Sequence, residues 1–447
     1  MTAPDPLADL FEPGGRRRGG EDAPTEAERA ARARRRRRAR RAGVAFLVAF
    51  AVLAASVTGY VAWALNAPLP DPVATTRTPT AAAGTAASFT LPAEGTTLVV
   101  TNGAAEFIGA DGLTLTAGGD EPRSIASVSK IITALVVLDA HPLADASDPG
   151  PTITFTEADH DLYDEYYVQG AAIAAMPTGS SMPLRDALAL MLIPSASNYA
   201  DAVSTWAFGS RGAFLAATRD WLARQGLTGT TIVEPTGLSP RNVSTPSDLV
   251  RIGQLAAAHP TIAALAGSAT YTTEVTGRVN NTNRLLGDSG VTGLKTGNLG
   301  EGTFALLFTA TVPTGVGEPL SVTGVTLGGT SRESQDAAVR ALLGSIADGF
   351  HDVALAPAGT AIGIYETAWG ASAELVIVDS ASIRTWSDTP IEVTTDIGTP
   401  VAYTDGEHAG TVTWTAGPRS AIASVQVRGT IEEPTGWWRL THPQLLG

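Results

Sequence analysis

Residues 44–65, VAFLVAFAVLAASVTGYVAWAL, run for 22 positions without a charge. A helix of that length crosses a hydrocarbon core of roughly 30 Å. Nine arginines stand within residues 29–41, directly ahead of the run. Arginines at that flank hold their end of a membrane helix in the cytoplasm. The sequence therefore predicts one membrane helix, with everything beyond residue 66 outside the cytoplasm. Tyr60 and Trp63 would then sit at the far interface. The alternative is a cleaved signal peptide, with Ala62-Trp63-Ala64 as a small-x-small site. Both the apolar run and the charged lead are longer than such segments use.

The flanks differ in composition. Residues 1–43 are rich in Arg, Ala, Glu and Gly, lack apolar periodicity, and are predicted to be a disordered basic cytoplasmic tail. Residues 66–90 are rich in Pro, Ala and Thr and read as an extended linker. Residues 91–354 form the main domain. Strand-like runs at 97–100 and 113–116 lead into helical patterns from about 127 to 265. Strands return at 303–311 and 320–327, and a helix is predicted over 331–350. Thr245-Pro246-Ser247-Asp248 has the form of a helix start, and Gly226 that of a helix stop. This order suggests an α+β domain, one antiparallel sheet flanked by helices. Residues 355–447 carry short Val/Ile/Thr runs at 374–378, 391–395, 410–415 and 424–428 between turn residues, the pattern of a small all-β domain. The pair Trp437-Trp438 near the end is expected to cap a core.

The formal charge of −14 is unevenly spread. The first 41 residues carry 12 arginines and 7 acids; the remainder carries 18 basic and 37 acidic residues. So acidic a body argues against nucleic acid as a partner. There is no cysteine, which excludes disulfides and thiolate metal sites. The six histidines show no HExxH or HxH spacing, so neither a metal nor another cofactor is expected.

Against 28 arginines the chain has only two lysines, Lys130 and Lys295. A guanidinium stays protonated at any usable pH, whereas an amine can be tuned to give up its proton. Lys130 closes Ser127-Val128-Ser129-Lys130. If Ser127 opens a helix, the two side chains share a face one turn apart. The helix N-terminus then favours the alkoxide and the developing oxyanion. The next residues, IITALVVL, are uncharged and mostly apolar all round, as in a buried helix. Burial would lower the Lys130 pKa and let it act as a neutral base towards Ser127. Ser129 faces elsewhere. Lys295-Thr296-Gly297 stands just before a strand, where its Lys and Thr can bind a carboxylate and Gly297 allows close approach. Between them lies Pro194-Ser195-Ala196-Ser197-Asn198-Tyr199. A serine here could relay a proton between the lysines and a leaving nitrogen.

In this order, SxxK, an SxN-like element and KTG resemble the penicillin-recognising serine enzymes. More closely, residues 92–350 resemble the D-alanyl-D-alanine carboxypeptidases, the low-molecular-mass penicillin-binding proteins. Secondary matches include Glu234-Pro235-Thr236-Gly237-Leu238 and Asn281-Thr282-Asn283-Arg284. The resemblance implies a β-lactamase/transpeptidase-like domain and the removal of terminal D-alanine from peptidoglycan stem peptides, with β-lactam antibiotics as covalent inhibitors. It implies that Ser127 attacks the carbonyl, Lys130 takes its proton and Ser195 passes a proton to the departing D-alanine. Lys295 and Thr296, with Gly297, would hold the substrate carboxylate. Backbone N–H groups of Ser127 and Asn298 would form the oxyanion hole. The third position of the SxN element is Ser197, with Asn198 beside it; either could supply the substrate contact. Two rivals stand against this reading. One is a serine β-lactamase using Glu234 as deacylation base; the other is a non-catalytic wall-binding scaffold on the same fold.

Overall fold

A computed structural model describes residues 25–80 and 83–447, in two compact units. The first comprises the N-terminal helix, residues 365–372 and residues 431–447.

In the first unit, helix α1 spans Glu26–Asn66. It starts well before the apolar run, so the expected disorder does not hold for residues 26–43; residues 1–24 lie outside the described part. Arginine and alanine are strong helix formers. Thr25 and Glu28 form a capping box at the first turn, where two acids complement the helix dipole. Its apolar window has a mean hydropathy of 2.2 and is exposed throughout. At its C-terminal end Ala64 and Ala67 are buried under Leu446, Leu440 and Trp438. Tyr60 Oη donates to Leu440 O at 2.5 Å, and Arg439 Nη1 donates to Ala67 O at 2.8 Å. Trp438 packs edge-on against Trp369 and stacks on His442. The expected core-capping role thus falls to Trp438, while Trp437 is 74% exposed.

The second unit holds the main domain. Strands β1 (Thr96–Asn102) and β2 (Thr114–Ala117) open it, followed by α2 (Ser129–Ala140), α3 (Glu157–Val168), α4 (Leu184–Leu192), α5 (Ser197–Phe208), α6 (Arg211–Gln225) and α7 (Pro246–Ala258). Then come β3 (Val291–Gly297), β4 (Phe304–Val312), β5 (Leu320–Gly329) and α8 (Arg332–Asp348). The sheet order is β3-β4-β5-β1-β2, antiparallel at each paired step, with β3 on the edge.

Alternate residues of the sheet feed two cores, as a period of two requires. Leu307, Val325 and Leu294 pack with α2, α4, α5 and α7 on one face. Leu306, Phe308 and Val322 pack with Val339, Leu342 and Ile346 of α8 on the other. Both faces are covered, which explains strands that read as nearly continuous apolar runs. Every residue of α2 from Ser129 to Leu138 is buried. Thr245 Oγ1 accepts the Asp248 N–H at the start of α7, and Gly226 closes α6 in the left-handed region.

Strand β6 (Phe350–Ala356) pairs with β7 (Ala381–Trp386), so the β-rich part begins about five residues earlier than 355. Strands β8 (Ile391–Ile397), β9 (His408–Ala416) and β10 (Arg419–Arg428) follow as an antiparallel run around buried Trp414. Arg384 joins the two parts, donating to Thr314 O at 2.9 Å and Phe350 O at 2.8 Å.

The predicted free linker is not free along its whole length. Backbone N–H groups of Thr85, Ala87 and Thr90 donate to His351, Ser387 and Ser345, and Phe89 stacks on Trp386. An extended segment without a ladder partner still has to satisfy its donors. Here side chains of the folded part do so.

Candidate active site

Ser127 lies in a tight turn, Ala126–Val128, and α2 itself begins at Ser129. The turn replaces the helical start expected at Ser127. Ala126 has φ of +47°, and two glycines crowd the turn. A Cβ on Gly237 would sit 2.0 Å from Ala126 O. One on Gly297 would sit 2.9 Å from Ser127 N and 3.0 Å from Ile125 O. Both positions therefore need glycine for the backbone to approach this closely. Ser127 is half-buried; its neighbours on either side are buried.

Lys130 is fully buried, and its Nζ lies 3.1 Å from Ser127 Oγ, 3.3 Å from Ser197 Oγ and 2.6 Å from Thr236 O. Burial pushes its pKa down to about 7, opposed by the nearby Glu234 carboxylate. An amine so tuned is half neutral at neutral pH and touches a serine hydroxyl, which is the arrangement nucleophile activation requires. Residues 112–323 match the model of the D-alanyl-D-alanine carboxypeptidase family, peptidase S11.

The chain is also similar to named proteins. Over 128 residues the chain is 34% identical to the D-alanyl-D-alanine endopeptidase of Pseudomonas aeruginosa, covering 29% of this chain and 38% of that one. Over 194 residues it is 29% identical to the D-alanyl-D-alanine endopeptidase of Haemophilus influenzae, covering 42% and 63%. The chain thus spans less than two thirds of these relatives' lengths. Among solved structures, penicillin binding protein 5 from Haemophilus influenzae overlays 77% of this chain and 98% of its own, at 18% identity and a TM-score of 0.49.

The wall behind Lys130 is a loop braced by Glu234. Its carboxylate accepts from Thr236 N and Oγ1, Gly237 N, Ser239 N and Asn242 Nδ2. Asn242 Nδ2 also reaches Ser129 Oγ, which itself donates to Ala126 O. Ser129 is thereby committed to holding the turn. The Glu234 carboxylate fixes the loop that aims Thr236 O at Lys130. With both oxygens so engaged, it is not disposed as a base for water.

The middle element departs from expectation. Ser195 has φ of +68° and is 5% exposed, and among the described residues neither lysine hydrogen-bonds it. Ser197, the first residue of α5, is the one that reaches Lys130. Asn198 is fully buried, with both ends of its amide taken by the backbone of Ala174. There it braces the stretch at Ala174. Ser197 N and Tyr199 Oη fasten the same stretch, donating to Ala172 O and Ala175 O.

Lys295 is 1% exposed; its Nζ lies 3.1 Å from Thr296 O and 3.5 Å from Thr282 Oγ1. Thr296 Oγ1 and Thr282 Oγ1 share a hydrogen bond of 2.7 Å. Burial, then the charges of Lys130 and Arg332, hold the Lys295 pKa well below its ordinary value. Asn298 follows the end of β3 and is exposed.

Arg332 was not flagged by the sequence. It opens α8 directly after β5. Register brings it home: Gly297 pairs with Ala305, and Phe304 pairs with Gly329, so three strand ends meet. Its guanidinium lies over the Phe304 ring at 5.5 Å, and the buried Nη1 has no hydrogen-bond partner. Burial pushes its pKa down, partly offset by Asp336. A buried guanidinium nitrogen left without an acceptor is costly unless something is meant to meet it.

Proposed function

We propose that this chain is a serine D-alanyl-D-alanine carboxypeptidase, acting through a Ser127 acyl-enzyme on peptidoglycan stem peptides. The observation that carries this is Lys130 Nζ at 3.1 Å from Ser127 Oγ, with its pKa lowered to about 7 by burial. Ser127 attacks the carbonyl before the terminal D-alanine while Lys130 takes its proton. The backbone N–H groups of Ser127 and Asn298 flank the position of the developing oxyanion. Lys295, Thr296 and the unpaired Nη1 of Arg332 receive the substrate's terminal carboxylate, and Gly297 leaves room for its approach. A planar guanidinium suits a carboxylate. Water then hydrolyses the ester, and a β-lactam would be trapped at the same serine. In this reading α1 anchors the protein, with residues 1–43 cytoplasmic and the catalytic domain outside.

The relatives' names favour a second reading of the same chemistry, cleavage of a D-alanyl bond inside a cross-link. One experiment separates the two. The full chain in detergent is given a pentapeptide ending in two D-alanines, or a cross-linked peptide dimer, beside Ser127→Ala. Free D-alanine from the first, absent with the variant, is expected. Cleavage of the dimer alone would favour the endopeptidase, and no turnover with no penicillin label would leave the scaffold. Rapid turnover of penicillin itself would revive the β-lactamase.

A further inference from the structure

We propose that residues 436–446 form a collar on the outer end of α1 that lies in the headgroup layer of the outer leaflet, with Trp437 turned to lipid. The partner is the lipid surface itself. The proposal rests on the reading of α1 as a membrane helix and goes beyond it.

Depth is the first argument. The apolar run 44–65 holds 22 residues, about 33 Å of helix at 1.5 Å per residue. That scarcely exceeds a hydrocarbon core of roughly 30 Å, so Leu65 marks the boundary. Tyr60 comes five residues earlier, about 7 Å deeper along the axis. A long side chain on a helix points back towards the N-terminus, so the Tyr60 hydroxyl sits no shallower than its own backbone. It donates to Leu440 O at 2.5 Å. The Leu440 carbonyl is thereby held at or inside the boundary. It belongs to a short helix, α9 (Gly436–Thr441). At the other end of α9, a Cβ on Gly436 would lie 3.1 Å from Leu65 Cδ2. So α9 descends beside α1, from the level of Leu65 to that of Tyr60. Leu446 then covers Ala64 and Ala67. Gly447 N donates to Pro68 O at 3.3 Å, which returns the chain to the watery side.

Chemistry is the second argument. Residues 436–446, GWWRLTHPQLL, contain no acid and one permanent charge, Arg439. That side chain is buried and reaches away from the layer: Nη1 donates to Ala67 O at 2.8 Å and Nη2 to Glu433 at 3.2 Å. A cation beside an apolar layer snorkels in this way. The bond from Tyr60 to the Leu440 carbonyl likewise meets the demand of a layer poor in water, where each backbone acceptor needs a partner. Trp438 is spent within the fold, on Trp369 and His442. Trp437 is 74% exposed, and Trp63 and Leu65 of α1 are 47% and 43% exposed. Two tryptophans and a tyrosine at one level form a belt of the kind found where a membrane meets water.

The test uses the absence of cysteine, which makes any introduced thiol a unique label site. Three variants of the full chain carry a nitrobenzoxadiazole dye in nanodiscs of phosphatidylcholine and phosphatidylglycerol. Trp437→Cys reports the collar, Leu53→Cys the middle of the apolar run, and Val401→Cys, at a residue 96% exposed in the second unit, reports water. Quenchers are a headgroup nitroxide lipid, a mid-chain nitroxide lipid and aqueous iodide. The dye at 437 should lose about half its emission or more to the headgroup nitroxide, as an interfacial side chain does, and be shielded from iodide. The dye at 401 should show the reverse. If Trp437→Cys melts early, Leu445→Cys, at a residue 39% exposed in the same collar, replaces it with the same expectation. A collar dye that behaves like the one at 401, while the dye at 53 is quenched by the mid-chain nitroxide, overturns the collar alone. A dye at 53 untouched by either lipid quencher overturns the membrane reading of α1 and the collar with it.

Discussion

The strongest prediction concerns the protonation of Lys130. On the proposed acyl-enzyme mechanism, reaction of Ser127 with a penicillin requires the amine in its neutral form, so the second-order acylation constant should follow the neutral fraction of the free enzyme. With the pKa lowered to about 7, the arithmetic is simple. About 1% of Lys130 is neutral at pH 5, about half at pH 7 and about 90% at pH 8. Acylation should therefore rise roughly 90-fold from pH 5 to pH 8. An unburied lysine would be only about 0.03% neutral at pH 7, so burial supplies more than a thousandfold in available base.

The assay is the rate of covalent labelling by a fluorescent penicillin, at concentrations well below saturation and at constant ionic strength. Lys130→Arg is the paired variant. Guanidinium keeps the charge but cannot lose it, so labelling should fall by about 10² to 10⁴ and its ascending limb should vanish. A wild-type rate that is flat from pH 5 to pH 8, or that rises only near pH 10, would refute the claim that burial has made Lys130 the base. So would a Lys130→Arg protein that labels at the wild-type rate.

Two further outcomes follow from the same geometry. Lys295 is also held well below its ordinary pKa, and in its proposed role it would bind a carboxylate only while charged, so acylation should fall again at high pH; Lys295→Arg should remove that descending limb, and an unchanged bell would assign it elsewhere. Gly237→Ala would force a Cβ to 2.0 Å from Ala126 O at a φ of +84°, costing about 2 kcal/mol or more and displacing Ser127; a lowered melting temperature with lost labelling is expected, and normal labelling would deny that the loop positions the nucleophile.

The parts of the site legible in the sequence are those whose geometry is local. Ser127 and Lys130 are one turn apart, so spacing alone places them together. The uncharged stretch after Lys130 announces its burial. Lys295-Thr296-Gly297 was legible as lying just before a strand, and its glycine as a close approach, although the three residues themselves close β3. What sequence could not supply is contact made by register. Arg332 reaches the site because Phe304 pairs with Gly329, and nothing near residue 332 in the chain says so. Glu234 was visible as an acid beside a proline, but its role depends on five donors folded around it. Ser195 and Ser197 are indistinguishable by type and differ only in backbone: one is in the left-handed region, the other opens a helix facing Lys130. Over residues 26–43 the charge suggests disorder, whereas the alanines and arginines there extend α1 back to a capping box at Thr25.

The two lysines also explain why carboxylate recognition and chemistry should be inseparable here. Lys130 and Lys295 are both fully buried, and each charged form raises the cost of the other; Arg332 adds a third cation. In the free protein the Glu234 carboxylate is a compensating charge near Lys130. In the proposed mechanism Lys130 takes the proton of Ser127, and a new buried cation forms beside Lys295. A substrate carboxylate seated on Lys295 and Arg332 offsets that repulsion at the moment it arises. Its interaction is therefore stronger in the transition state than in the ground state, and binding energy of that kind raises the rate of the chemical step as well as affinity. A substrate lacking the carboxylate should lose kcat together with KM, a signature that a mere docking contact would not give.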